Sequence, residues 1–167
     1  PLASDGSGEL DKLRVADNDG ADAVMDLSTA GDLDAIRTRM IAATPLPLGT
    51  VPLYGLAQQC TEQGRDPAGF EPKELIDEIR KQAEQGVDFV TVHCGLTKRG
   101  AELAMDGSRL LGIVSRGGAI LARWMRRTGQ ENPLLTHYDE ILEISRKHNL
   151  VLSLGDGLRP GAGCDAG

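Results

Sequence analysis

Ser115-Arg116-Gly117-Gly118 interrupts two apolar stretches, a short run from Leu111 to Val114 and the helically spaced Ile120, Leu121, Trp124 and Met125. Strand, glycine break and helix start together make a place for a phosphate. The first helical turn has unpaired N–H groups, the helix dipole favours an anion, and missing side chains allow close approach. Ser115 adds a hydroxyl and Arg116 a forked cation. A tight turn whose glycines serve only backbone freedom has the same pattern, and both readings stand on this stretch alone.

Four other predicted strand ends also carry candidate site residues: Met25-Asp26, Tyr54, His93, and Asp156-Gly157-Leu158-Arg159. Arg116 and Arg159 are cations in an acidic chain and suit a phosphate or carboxylate. Asp156, flanked by glycines, can accept from an amine or a ribose hydroxyl. His93 titrates near neutrality and can donate to a ligand or exchange a proton. Each has a plainer alternative: a structural histidine, a packed tyrosine, a core methionine, an Asp-Gly turn. Ser115, His93 and Asp156 could form a hydrolytic triad, but no G-x-S-x-G elbow supports it. No H-x-x-x-H and no paired cysteines at ligand spacing point to a metal.

The elements that must position these residues follow from the rest of the chain. Its 167 residues are one domain's worth, with 40% apolar, 26% charged and only 3% aromatic residues, so the core is aliphatic. A net charge of −7 argues against nucleic acid or an anionic membrane as partner. Three distant cysteines, Cys60, Cys94 and Cys164, suit a reducing compartment, and the chain reads as cytoplasmic. Both ends read as cut from a longer chain.

Residues 1–8 read as a loop-like N-terminal end, and 9–167 as the folded part. Five strands are expected, at Ala23–Leu27, Leu48–Leu53, Val87–His93, Leu111–Val114 and Val151–Leu154. Helices are expected between them, including one capped by Asp32 and one from Pro72 to Gln85. Alternating strands and helices mean a parallel α/β fold. Candidate residues at every strand's carboxyl end favour a (β/α)8 TIM-type barrel. This chain would cover about five βα units of it, an incomplete substrate-binding catalytic domain.

Taken jointly, GADAVMDLSTAGD, GTVPLY, EQGVDFVTVHCG, GIVSRGGAILARWM, QENPLLTHYDEILEI and LSLGDGLRPG closely resemble the phosphomethylpyrimidine synthase (ThiC) family of thiamin biosynthesis. The resemblance runs in order from about Leu10 to the C-terminus. It implies a dimeric radical S-adenosylmethionine lyase with a (β/α)8 barrel. Such an enzyme rearranges 5-aminoimidazole ribotide to 4-amino-5-hydroxymethyl-2-methylpyrimidine phosphate. It also implies substrate contacts at Met25, Tyr54, His93, Ser115, Arg116, Gly117, Asp156, Gly157, Leu158 and Arg159. The cofactors implied are S-adenosyl-L-methionine, a [4Fe-4S] cluster and a divalent metal, zinc or iron, with ligands beyond Gly167; this chain alone is therefore expected to be inactive. Two departures from the family's motifs are Ala30, where glycine is usual, and Gly55, where glutamine usually follows the tyrosine. A 5-hydroxybenzimidazole synthase paralogue, or a non-catalytic ribotide-binding fragment, remains the alternative.

Overall fold

The computed structural model describes residues 7–166; of the loop-like end expected at 1–8, residues 1–6 lie outside the described residues, as does Gly167, while Ser7 and Gly8 are helical and not loop. The first helix, α1, begins at Ser7 rather than Glu9 and runs to Asn18. Then come β1 (Val24–Asp26), α2 (Leu33–Ala43) and β2 (Leu48–Thr50). Asp32 caps α2 as its residue type requires, its carboxylate accepting from the Ala35 N–H at 3.0 Å.

The second strand stops earlier than expected. Pro52 has no N–H to give a sheet ladder, but it is well suited to open a helix. Here it opens α3 (Pro52–Glu62). Tyr54 therefore sits in a first helical turn and not at a strand end. Next are α4 (Pro72–Glu84), β3 (Phe89–Val92) and α5 (Lys98–Ala104). In α4, the Glu74 carboxylate accepts from the Glu71 N–H at 2.7 Å, closing the helix start. The chain ends with α6 (Arg116–Thr128), α7 (Pro133–Thr136), α8 (Tyr138–His148), β4 (Val151–Leu154) and a 3-10 turn, Gly163–Asp165.

The four strands form one parallel sheet in the order β1-β2-β3-β4. Parallel α/β architecture is thus present, but the expected strand at Leu111–Val114 is not. Its slot beside β3 is taken by β4, paired over four positions from Phe89↔Val151 to Val92↔Leu154. Gly112 adopts φ +59, which breaks an extended run. The Leu110 and Leu111 N–H groups go instead to the Asp165 carboxylate, at 2.7 and 3.1 Å. Among the described residues four strands form, where five are expected.

The main core gathers Leu53, Leu75, Ile79, Val90, Leu121, Trp124 and Ile141 from α3, α4, β3, α6 and α8; a smaller cluster joins Leu13, Ile36, Met40 and Leu48. The lone tryptophan is stitched in by its indole N–H, which donates to Phe70 O at 2.9 Å. On the other side of the sheet, register aligns Met25, Gly49, Phe89 and Val151 in one row. That face is uncovered at both ends of the row, where Met25 is 40% and Val151 63% exposed.

Candidate functional site

His93 follows β3 directly, at the carboxyl end of the sheet, and is 4% exposed. Its ring lies among glycines. A β-carbon on Gly117 would stand 2.4 Å from its Cε1, and one on Gly155 would stand 3.1 Å from its Nε2. A β-carbon on Gly118 would meet the Gly157 carbonyl oxygen at 2.0 Å. The start of α6 thus packs directly on the loop that leaves β4, with the imidazole beside the seam. The sequence pattern predicts that Gly117 and Gly118 leave room for an anion. That room is filled by His93 and the Gly157 backbone.

Ser115 is buried and caps α6, its Oγ accepting from the Gly118 N–H at 3.2 Å. The same Oγ lies 3.5 Å from His93 Nε2, at the outer limit of a hydrogen bond. His93 Nδ1 is buried and has no partner among the described residues. A Ser-His-Asp triad needs a carboxylate at that nitrogen to orient the ring; none is there. Burial pushes the His93 pKa down, Arg159 pushes it further, and Asp156 opposes both. The ring is therefore neutral at neutral pH, a hydrogen-bonding group and not a cation.

The loop after β4 is held in shape by its own groups. Asp156 Oδ1 accepts from the Leu158 N–H at 3.0 Å, and Arg159 Nη1 donates to Asp156 O at 3.2 Å. Arg109 Nη1 donates to Leu158 O at 2.7 Å. Asp156 and Arg159 remain exposed, while Gly157 is buried.

Arg116, at the first position of α6, is exposed, and its Cζ stands 5.2 Å from the Tyr54 ring centroid, within cation–π range. The two line a cavity of about 230 Å³ with Thr29, Gln58 and Ile120. The expected residues thus fall into contacting sets. His93 meets Ser115 and Gly117, Tyr54 meets Arg116, and Asp156 to Arg159 form one loop beside His93. Met25 stands apart, inside β1 and two strands from β3.

Three residues of the site were not anticipated. Asn132 is fully buried and donates to both His93 O and Leu96 O. Arg109 and Asp165 tie the 109–111 segment to the loop after β4. Asn132-Pro133 does carry a helix-start signal. Its link to His93, 39 residues away, leaves no local trace.

Residues 2–167 match the radical SAM ThiC family. The chain belongs to that family. It is 48% identical over 158 residues to the phosphomethylpyrimidine synthase of Syntrophus aciditrophicus, covering 95% of this chain and 37% of that protein. The Moorella thermoacetica enzyme of the same name is 51% identical over 162 residues, again 95% and 37%. That of Methanopyrus kandleri is 47% identical over 166 residues, 99% and 39%. The chain spans little more than a third of the length of these ThiC relatives.

Radical SAM chemistry requires an iron–sulfur cluster, held by thiolates. The cysteines described do not fit that role. Cys60 and Cys94 are buried and Cys164 is exposed. Burial raises the Cys60 pKa and pushes the Cys94 thiol up to about 11. Among the described residues no group of three or more His, Cys, Asp or Glu could hold a metal ion. What this ThiC segment offers is a group of polar side chains, His93, Ser115, Asp156 and Arg159, gathered near the carboxyl ends of β3 and β4. No described helix is long and apolar enough to cross a membrane.

Proposed function

We propose that this chain is the substrate-binding portion of a phosphomethylpyrimidine synthase and that its ligand is 5-aminoimidazole ribotide. The full-length enzyme converts the ribotide to 4-amino-5-hydroxymethyl-2-methylpyrimidine phosphate by radical S-adenosylmethionine chemistry. The observation that carries this reading is the gathering of His93, Ser115 and Gly157 into one seam. They come from three separate motifs of a chain that matches ThiC along its length.

Arg116 takes the ribotide phosphate. It is exposed at the positive end of a 13-residue helix and rests on Tyr54, which limits its freedom before binding. The Ser115 hydroxyl already accepts from Gly118 and so has its proton to give. Given to His93 Nε2, it leaves Nδ1–H as a donor for an imidazole or ribose acceptor. Arg159 and the outer oxygen of Asp156 bind ribose or imidazole polar atoms at the rim. Met25 faces the uncovered side of the sheet and lines the ring.

The four-stranded sheet is an arc of a (β/α)8 barrel. Its uncovered face, and outer edges of β1 and β4 that pair with no strand among the described residues, support closure by further strands of the full-length protein, a cytoplasmic homodimer. The [4Fe-4S] cluster, S-adenosylmethionine and the divalent metal are held by residues outside this chain.

Calorimetric titration of the intact protein with 5-aminoimidazole ribotide, and separately with its dephosphorylated nucleoside, tests the reading. Saturable ribotide binding is expected, weakened about tenfold or more without the phosphate, since hydrogen bonds to charged groups contribute ~1.5–3 kcal/mol. Equal affinity for both compounds, or no binding, contradicts it.

A further inference from the structure

The segment from His93 to Lys98 carries the central imidazole from β3 into α5, and residues 129–132 grip it at both ends. Asn132, fully buried, uses both amide protons here, on His93 O at 2.9 Å and Leu96 O at 2.8 Å. Glu131 Oε1 accepts from the Lys98 N–H at 2.7 Å and from the Asn132 N–H at 2.8 Å. Lys98 Nζ returns to Gly129 O at 2.9 Å.

Asn132 also caps the four-residue α7, its Oδ1 accepting from the Leu134 N–H at 3.0 Å. A cap needs only that oxygen, and Asp or Ser would supply one equally well. The amide nitrogen serves another purpose. Both its bonds go to a loop 36 and 39 residues away in sequence.

The His93 ring itself is weakly directed by hydrogen bonds: one contact at 3.5 Å to Ser115, and none at Nδ1 among the described residues. Its orientation depends on the glycine walls and on where its backbone is anchored. We infer that Asn132, supported by Glu131, is a positioning residue that sets His93 for the ligand. The ligand's identity, though not the anchoring, rests on the ribotide reading. A shift of about 1 Å at such a group is enough to cost orders of magnitude in function.

The test uses Asn132→Ser and the milder Glu131→Ala in the full-length protein. Each is followed by thermal melting, NMR titration of the His93 ring without ligand, and calorimetry with 5-aminoimidazole ribotide. In folded Asn132→Ser, water reaches the loosened ring. Its titration moves up toward the ordinary imidazole range, and ribotide Kd weakens about tenfold or more with stoichiometry unchanged. Glu131→Ala moves both the same way by less, and decides the matter if Asn132→Ser does not fold.

A purely structural role predicts a lower Tm and fewer competent molecules, with Kd and His93 titration unchanged in those that fold; that result overturns the inference. Should the wild-type protein bind no ribotide, the functional reading fails. The ligand-free titration then decides alone: a shift in Asn132→Ser upholds the anchoring, and no shift overturns it.

Discussion

Gly118 and Gly157 meet backbone to backbone: a β-carbon on Gly118 would fall 2.0 Å from the Gly157 carbonyl oxygen. This contact joins the start of α6 to the loop after β4, and nothing flexible stands between them. Gly118→Ala must therefore displace one backbone or the other. A loss of ~1–3 kcal/mol is expected, as for overpacked cores, read as a lower urea midpoint. Gly95→Ala is the control, because its β-carbon would meet nothing within 4 Å. Equal midpoints for the two variants would contradict the packing role.

His93 makes stability depend on pH with a definite sign. Its folded pKa lies below the ordinary value of about 6.5. As pH falls past that value the unfolded chain takes up the proton first. The stabilisation is complete above about pH 6.5 and is lost as pH falls through the lower folded pKa. Carboxylates such as Asp34 and Glu74, whose pKa values are also lowered, act below about pH 4.5 and leave this window clear. Urea unfolding between pH 7.5 and 5 should show a decline that His93→Gln flattens. Parallel curves for the two proteins would refute it.

Arg109 holds the loop after β4 through Leu158 O at 2.7 Å. Arg109→Met keeps much of the side chain's bulk and removes that bond. The Leu158 amide, which donates to Asp156, should then exchange its hydrogen about tenfold faster, in keeping with one lost hydrogen bond. Unchanged exchange would show that the loop holds its shape without Arg109.

The cysteines should separate by reactivity. Cys164 is exposed, while Cys60 and Cys94 are buried with raised pKa values. A thiol reagent at pH 8 should modify one thiol per native chain and three after denaturation. Rapid native labelling of Cys94 would mean that the loop beside His93 opens.

Local chemistry made much of this fold legible. Asp32, Pro72 and Ser115 each mark a helix start that the structure contains, because caps and prolines act within one turn. The apolar run Leu111–Val114 misled for the opposite reason. Hydrophobicity makes it strand-like, but pairing is a competition, and β4 wins the edge of β3 from about 60 residues away. Pro52 closes a strand-like run in the sequence, yet its chemistry equally suits the first turn of a helix, where the structure uses it. His93, Ser115 and Gly117 were legible as a group only through the strand-end pattern. Asn132 was not, because its partners are distant in sequence.

We propose that Arg116, His93 and the loop after β4 close around one phosphorylated ribotide. A crystal structure of the intact protein soaked with 5-aminoimidazole ribotide tests it most directly. The phosphate is expected within hydrogen-bond distance of Arg116, with a ligand atom on His93 Nδ1. A ribotide seated instead in the cleft between α5 and α6, beside Lys98 and Arg126, would contradict it.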